Sequence, residues 1–247
     1  MERYSTEGVI LKARDLGETD RVVELVTRDF GRLSVVARGA RNSRKRFGGR
    51  LEKFICLEVH ATRRQASTLA RLDEIRITES FPRLSEDLDR MAMAEAWLEL
   101  SGRMIIPGEE GGEVFDWLLA SWRQIQMGAW QSGDFYLAIL VFLRTQGVLA
   151  PLECCARCQS DSDSLIFSAV EGGVICMECV HEGLRLSHAV LPCLRRTAHW
   201  CTPEDLAGQA PPMAVRDLRA MVRDAVHVHV GGELRSLRVW EDFLVEH

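Results

Sequence analysis

Two pairs of cysteines constrain this chain more than any other feature of its sequence. Each pair encloses two residues, in Cys155–Cys158 and in Cys176–Cys179, and seventeen residues separate the pairs. A two-residue gap places two thiolates on one tight turn, and the longer gap lets a short hairpin bring the second turn against the first. Four thiolates complete a tetrahedral Zn²⁺ site without an open position. The spacing therefore predicts a structural zinc knuckle within residues 151–182, which holds the fold and catalyses nothing.

The sequence leaves alternatives open at this motif. Cys154 stands beside Cys155 and could ligate in its place, but only Cys155 gives the two-residue gap to Cys158. His181 could replace one thiolate. An Fe–S cluster also takes four thiolates, although the ribbon spacing favours zinc. A thioredoxin-like redox motif would need a βαβ context, which the sequence does not show, and would leave one pair unexplained.

The composition is that of a globular protein with room for two domains. The 247 residues are 47% hydrophobic and 27% charged, which is ordinary for a folded chain of this length. No apolar run reaches the roughly 18–20 residues of a membrane span, and the first residues have no signal-peptide character. We therefore expect a cytoplasmic protein whose eight cysteines are metal ligands and free thiols rather than disulfides.

The net charge of −5 hides an uneven distribution. Residues 1–80 carry 17 Lys and Arg against 12 Asp and Glu, whereas residues 81–247 carry 14 against 24. Ten of the basic residues lie within positions 32–64. Such an asymmetry indicates that the first part of the chain meets a polyanion such as nucleic acid. The acidic remainder is a better candidate surface for protein partners.

Hydrophobic periodicity predicts two kinds of structure. Alternation with a period of two indicates five strands in residues 1–80, and such strands between charged and glycine-containing turns are typical of a small closed barrel. From residue 81 the period becomes helical, and Phe135–Gln146 is apolar on nearly every side, as in a helix at the centre of a domain. We predict an α+β fold with a barrel domain over 1–80 and a helical domain over 81–247. The predicted strands are Thr6–Ala13, Asp20–Thr27, Arg32–Gly39, Phe54–Thr62 and Thr68–Ser80, with two more in the knuckle at Leu165–Phe167 and Val174–Ile175.

The motifs of common catalytic sites are missing from the sequence. It contains no GxxxxGK[ST] phosphate loop, no HExxH pair, no GxSxG elbow and no HxE followed by PCxxC. The basic third offers no cluster of carboxylates that would hold a catalytic metal. We therefore expect no enzymatic activity and assign no catalytic residue.

Several short strings of residues resemble the RecO family of bacterial recombination mediators and DNA-repair proteins. The GETD and ARGAR strings, in this order and at this distance, are the most specific of them. Downstream, the two CxxC pairs fit as well, and the resemblance covers nearly the full length, although residues 81–150 match mainly in pattern. The matching strings are Thr6–Lys12, Gly17–Asp20, Thr27–Leu33, Val36–Arg41, Ser43–Phe47, Leu51–Phe54, Gly172–Gly173 and Leu186–Ser187.

This resemblance implies an N-terminal OB-fold followed by a helical domain with a zinc knuckle. It implies binding of single- and double-stranded DNA and annealing of complementary strands. It also implies action with RecR in loading RecA onto strands coated by single-strand-binding protein, with RecF as a further candidate partner. A protein of this kind works in the cytoplasm, at the nucleoid. Some relatives lack the cysteines, so the metal is not essential to the activity as such.

We expect the phosphates of DNA to be held by basic residues of the barrel and of the loop after its third strand. Guanidinium groups suit this role because they can take phosphate oxygens in pairs and stack on bases. Phe47, in the same loop, is assigned to stacking on a base, with anchoring of the loop in the barrel as the alternative. Arg63 and Arg64 are additional candidates. The predicted phosphate contacts are Arg14, Arg38, Arg41, Arg44, Lys45 and Arg46.

A second reading of the same features is a zinc-ribbon adaptor for protein interactions. In that reading the basic loop, which follows the third predicted strand, contacts acidic protein partners rather than nucleic acid. Selectivity for DNA over other polyanions, and strand annealing without ATP, would separate the two functions.

Overall fold

A computed structural model describes the backbone of residues 1–42, 47, 51–65 and 69–246. By their internal contacts, the residues form two compact units, Met1–Trp122 and Arg123–His247. Within the described residues, no helix combines the length and the apolar character that crossing a membrane requires.

Five strands of the first unit are β1 (Glu2–Leu16), β2 (Asp20–Thr27), β3 (Gly31–Ala37), β4 (Ile55–Arg63) and β5 (Ala70–Ser80). They close into a barrel in the order β1-β2-β3-β5-β4. Neighbouring strands are antiparallel except β3 and β5, which run parallel. Along β3, Leu33, Val35 and Ala37 are buried and alternate with half-buried residues, as the period of two predicted. The barrel confirms the predicted fold class.

Apolar side chains from all five strands fill the barrel. Val23 and Leu25 of β2, Val35 of β3 and Leu57 of β4 are at most 1% exposed. Phe47, from the loop after β3, joins the same core. Phe47 therefore lies in the barrel interior, whereas Arg44, Lys45 and Arg46 are outside the described residues.

Strand β1 is longer than the predicted Thr6–Ala13. Its last part, residues 12–16, is exposed and pairs with residues 20–24 of β2, which pair with β3 on their other side. This part of β1 begins at an irregularity in the register between Ile10 and Lys12. Because this part of the strand buries neither face, no alternation of apolar residues marks it in the sequence.

Helix α1 (Leu88–Met104) and helix α2 (Gly112–Met127) follow the barrel, after a short 3-10 helix at Pro82–Ser85. The side chain of Asp87 caps α1 by accepting the backbone N–H of Arg90 at 2.8 Å. Helix α2 ends where Gly128 takes a φ of +71°, which is the usual conformation after a helix C-terminus.

The turn between β2 and β3 lies directly against the segment that joins α1 to α2. The backbone N–H of Gly111 donates to the carbonyl of Arg28 at 2.9 Å. Gly31 has a φ of +60°, and a Cβ atom there would collide with the carbonyl oxygen of Ile106. The position therefore requires glycine both for its backbone conformation and for the space around it.

We expect Gly31→Ala to lower the free energy of unfolding by about 2–4 kcal/mol, because steric overlap adds to the cost of the left-handed conformation. Gly17→Ala is a matched control, since Gly17 has a φ of +62° but open space around it. Only the conformational cost, about 1–2 kcal/mol, applies there. Urea unfolding of both variants measures the difference, and equal losses would contradict the close approach at Gly31.

The second unit is built around helix α3 (Ser132–Thr145). All residues from Gly133 to Leu143 are buried, which confirms the central position predicted from the apolar sequence. Helix α3 packs against α5 (Val215–His229). The remaining helices are α4 (Leu191–Arg196), α6 (Arg235–Glu246) and 3-10 helices at Thr197–His199, Pro203–Leu206 and Pro212–Ala214.

Two buried carboxylates tie other segments of this unit to α3. Asp134 accepts the backbone N–H groups of Gln209–Ala210 at 2.9 and 3.0 Å. Glu241 on α6 accepts the hydroxyl of Tyr136 at 3.1 Å and pairs with Arg219 at 3.0 Å. Burial, together with the neighbouring Glu241, raises the pKa of Tyr136. Each carboxylate is fully partnered, as a buried charge must be.

A three-stranded sheet forms the knuckle region, in the order β7-β6-β8. Strands β6 (Leu165–Ser168) and β7 (Gly173–Cys176) confirm the two strands predicted there. They pair antiparallel, with Leu165 opposite Cys176. Strand β8 (Leu184–Arg185) is too short to show a period in the sequence and was not predicted.

Candidate metal centre and nucleic-acid interface

The four predicted metal ligands come together in the structure. The sulfur atoms of Cys155, Cys158, Cys176 and Cys179 all lie within 4.8 Å of one another. The sulfurs of Cys158 and Cys176 are 3.6 Å apart. Four Zn–S bonds of about 2.3 Å in a tetrahedron place the sulfurs about 3.8 Å apart. The group therefore has the size and the donor set to hold a tetrahedral metal ion.

The turn of the first cysteine pair favours the thiolate form of Cys155. The backbone N–H of Gln159 donates to the carbonyl of Cys155 at 2.8 Å and closes the turn. Burial opposes ionisation of the Cys155 thiol, but the backbone N–H groups of Cys158, Cys176 and Arg157 outweigh it and lower the pKa to about 6. The thiolate is the form that binds metal ions, so this environment favours ligation.

Cys154 and His181 do not belong to the group formed by the described residues. Of the two neighbouring candidates the structure thus brings Cys155 to the site, in agreement with the two-residue gap.

An open cavity of about 530 Å³ lies at one end of the barrel. Its lining includes Leu16 at the end of β1, Asp20 at the start of β2, and the arginines Arg38, Arg64 and Arg71. We call these three arginines the basic mouth. In OB-folds the face of strands 2 and 3, with the loops after strands 1 and 4, binds oligonucleotides. The basic mouth lies at this position of the fold.

Strand register extends the basic surface across the sheet. Arg14 lies opposite Val22, Val22 opposite Val36, and Val36 opposite Arg71. Residues paired in this way project from the same face of a sheet, and Val36 also lines the cavity. This face therefore has an arginine at each end and two valines between them.

The arginines of this face differ in how far the protein neutralises them. Arg71 pairs with Asp73 at 2.6 Å. By contrast, Arg14, Arg38 and Arg64 are exposed and form no ion pair in the part of the chain that the structure describes. Their guanidinium groups keep their charge and their donors for an anionic ligand.

Arg41, a predicted phosphate contact, and Arg63, an additional candidate, already have partners within the protein. Arg41 donates to the carbonyl of Glu18 at 3.1 Å and faces Asp15 at 3.6 Å. Arg63 pairs with Glu2 at 2.5 Å. Each of these arginines would have to leave its partner before it could contact a phosphate group, so their structural roles are better supported than their predicted ones.

The burial of Phe47 contradicts its predicted role in base stacking. Its ring is 2% exposed and packs into the barrel core, whereas an aromatic residue stacks on a base only from an accessible position. The alternative, that Phe47 anchors the loop, agrees with the structure. Arg44, Lys45 and Arg46 lie outside the described residues, so their assignment remains a prediction.

Arg71 was missed in the sequence although it lines the cavity. Its position at the start of β5 becomes significant only because β5 pairs with β3, which places Arg71 opposite Val36. No local pattern reveals a pairing between strands so far apart in the chain. The alternation that predicted β5 marks its buried face alone.

An OB-fold barrel with a basic mouth and a second unit with a four-cysteine knuckle together define a class of two-unit OB-fold proteins whose four cysteines could hold a metal ion. Two family models match the chain: Recombination protein O N terminal over residues 1–81 and Recombination protein O C terminal over residues 85–238. The chain belongs to the RecO family of DNA repair proteins.

Individual relatives agree with this membership. A protein named DNA repair protein RecO from Anaeromyxobacter sp. (strain K) is 33% identical over 247 residues, covering 98% of this chain and 97% of the relative. The protein of the same name from Myxococcus xanthus is 32% identical over 256 residues, covering 100% and 98%. The one from Symbiobacterium thermophilum is 32% identical over 212 residues, covering 79% and 80%.

Proposed function

We propose that this protein binds DNA at the basic mouth of its barrel and acts as a recombination mediator in DNA repair. The observation that carries the proposal is the cavity at the nucleotide-binding position of an OB-fold, with the unpaired arginines Arg38 and Arg64 in its lining. Arg14 adds a third unpaired cation on the adjoining face. Their chemistry suits phosphate groups, and the valines between Arg14 and Arg71 suit less polar parts of a nucleotide.

Binding to phosphates makes both DNA forms ligands of the same surface. Each cation that neutralises a phosphate releases a condensed counterion, and this term does not depend on sequence. We therefore propose binding of single- and double-stranded DNA. Contacts of this kind position a strand without reading its bases.

Strand annealing follows from the same electrostatics and needs no bond-making residue. Neutralised phosphates repel one another less, so two complementary strands held near the barrel can pair. We propose that the protein is not an enzyme and that it anneals strands in this way. By family membership we further propose that it acts with RecR, and with RecF as a further candidate, to load RecA onto DNA coated by single-strand-binding protein, in the cytoplasm at the nucleoid.

We propose that the metal of the four-cysteine group is a structural Zn²⁺. Cys155, Cys158, Cys176 and Cys179 would hold it, and all four coordination positions would be taken by sulfur. Zinc in such a site stabilises the surrounding fold. The residues themselves contribute the two turns, and the bidentate pair of Arg157 with Glu171, at 3.0 and 2.7 Å, braces the knuckle.

Fluorescence anisotropy with single-stranded and duplex oligonucleotides over a salt series tests the proposed function. We expect log affinity to fall linearly with log salt, by about 0.7 per contacted phosphate for single strands and 0.9 for duplex. Annealing of complementary strands should proceed without ATP. Polyglutamate as competitor tests the adaptor reading: displacement of DNA by polyglutamate at equal charge concentration, or an affinity that ignores salt, would overturn the proposal.

A further inference from the structure

A carboxylate stands where the proposed function calls for positive charge. Asp20 lines the same cavity as Arg38 and Arg64. A negative charge close to a bound phosphate would repel it, and this repulsion persists even in bulk water. A residue that acted through its charge alone would weaken the proposed ligand. The contacts of Asp20 indicate a different role.

Asp20 holds the backbone that carries Arg38. Its carboxylate accepts the backbone N–H of Gly39 at 2.8 Å and the hydroxyl of Thr19 at 2.9 Å. The hydrogen bond from Gly39 is the main reason that the pKa of Asp20 lies below its usual value. Gly39 follows Arg38 directly and has a φ of +67°, so the hydrogen bond fixes a tight turn at the arginine.

Arg41 closes the same turn from its other end. Its guanidinium group donates to the carbonyls of Gly17 and Glu18 at 3.4 and 3.1 Å and faces Asp15 at 3.6 Å. Its backbone N–H donates to the carbonyl of Thr19 at 3.1 Å. These contacts, which we call the clasp, hold the turn at residues 38–42 to the turn between β1 and β2 at two points. The GETD and ARGAR strings are the two halves of this contact.

We propose that Asp20 and Arg41 are positioning residues that hold Arg38 at the mouth of the barrel for DNA. Neither residue contacts the DNA itself. The inference rests on the proposed function, because it takes Arg38 to contact a phosphate of DNA and the clasp to orient Arg38 for that contact. It also gives Arg41 a role other than the phosphate contact predicted from the sequence.

Two substitutions of Asp20 separate position from charge. Asp20→Asn and Asp20→Ala remove the same negative charge, but only asparagine keeps an oxygen that can accept the N–H of Gly39. We expect Asp20→Ala to bind single-stranded DNA about fivefold more weakly than Asp20→Asn at 0.1 M salt. Its salt slope should be about 0.7 smaller, which corresponds to the loss of one phosphate contact. Equal affinities for the two variants would overturn the inference.

A double-mutant cycle identifies Arg38 as the residue through which Asp20 acts. In a background that carries Arg38→Ala, the variants Asp20→Ala and Asp20→Asn should bind with the same affinity, because the contact that the clasp positions is already gone. A fivefold difference that persists without Arg38 would show that Asp20 positions something else, and would overturn the inference.

Arg41 is tested by a substitution that keeps its charge. Lysine cannot reproduce the fork of donors that reaches two carbonyls, so Arg41→Lys should lose about as much affinity as Arg41→Ala. A lysine variant with the affinity and salt slope of the wild type would mean that Arg41 contacts phosphate directly. Stoichiometric titration gives the active fraction of each variant, so misfolding cannot pass for a loss of affinity. Absence of salt-dependent binding by the wild type would overturn the proposed function itself.

Discussion

Cys176→Ser is expected to reduce the bound zinc from about one ion per chain to nearly none and to destabilise the second unit by several kcal/mol. Structural zinc sites of small domains contribute about 10–16 kcal/mol of apparent binding free energy, which is available only to the folded state. Cys176 is 1% exposed and its sulfur lies 3.6 Å from that of Cys158, and among the described residues no other His, Cys, Asp or Glu joins the four-cysteine group. Metal analysis and thermal unfolding measure the two effects.

Cys154→Ser provides the matched control for this prediction. It makes the same chemical change one residue from a ligand, but Cys154 lies outside the four-cysteine group. We expect it to keep its zinc and its unfolding temperature. Loss of metal from Cys154→Ser, with retention in Cys155→Ser, would reverse the assignment of the two neighbours. Iron with a visible absorption band, in place of zinc, would replace the proposed ion by a cluster.

The triple variant Arg14→Ala, Arg38→Ala and Arg64→Ala is expected to lose about a hundredfold in affinity for single-stranded DNA at 0.1 M salt. Three phosphate contacts at about 0.7 released counterions each reduce the salt slope by about 2. All three arginines are exposed and without ion pairs among the described residues. Their removal should therefore leave the free energy of unfolding almost unchanged. Anisotropy over a salt series gives the slope directly.

A second triple variant, Arg76→Ala, Arg83→Ala and Arg90→Ala, controls for net charge. These arginines lie in the same unit, and they pair with Glu58 or Glu86. Exposed pairs of this kind contribute roughly 0–1 kcal/mol each to stability, so the variant should fold. We expect its salt slope to match that of the wild type. A similar loss of slope in both triple variants would mean that DNA responds to overall charge and not specifically to Arg14, Arg38 and Arg64.

The parts of the fold that bury a face were predictable from the sequence. Alternation along β3 and the unbroken apolar run of α3 both follow from burial, and both elements were found where the pattern indicated. The last part of β1 and the two-residue β8 bury no face, so they left no period to detect. The four cysteines were predictable for a different reason. Each pair must lie on one tight turn, and this requirement is visible in the sequence as a fixed spacing of a few residues.

The basic character of the candidate DNA surface was predictable from the sequence, but the roles of its individual residues were not. Arg38 and Arg64 were named from the density of charge, and both line the cavity. Charge density could not show that Arg41 donates to carbonyls of the turn between β1 and β2, because that contact depends on how two turns meet in space. Phe47 was assigned to a base because its neighbours in sequence are basic, whereas its environment in the fold is the barrel core. Arg71 depends on a strand pairing that no local pattern reveals.

The barrel has a weakly joined boundary between two strands, which we call the seam, and its position would give bound DNA a mechanical role. In the described part of the chain, β3 and β5 are joined through only two residue pairs, Val35 with Ala70 and Val36 with Arg71. A strand of DNA that spans Arg14 and Arg71 would lie across this seam and hold β3 and β5 together. Ligand binding would then be linked thermodynamically to closure of the barrel, since a ligand that favours one state stabilises it. The same surface that holds the DNA would be made more rigid by holding it.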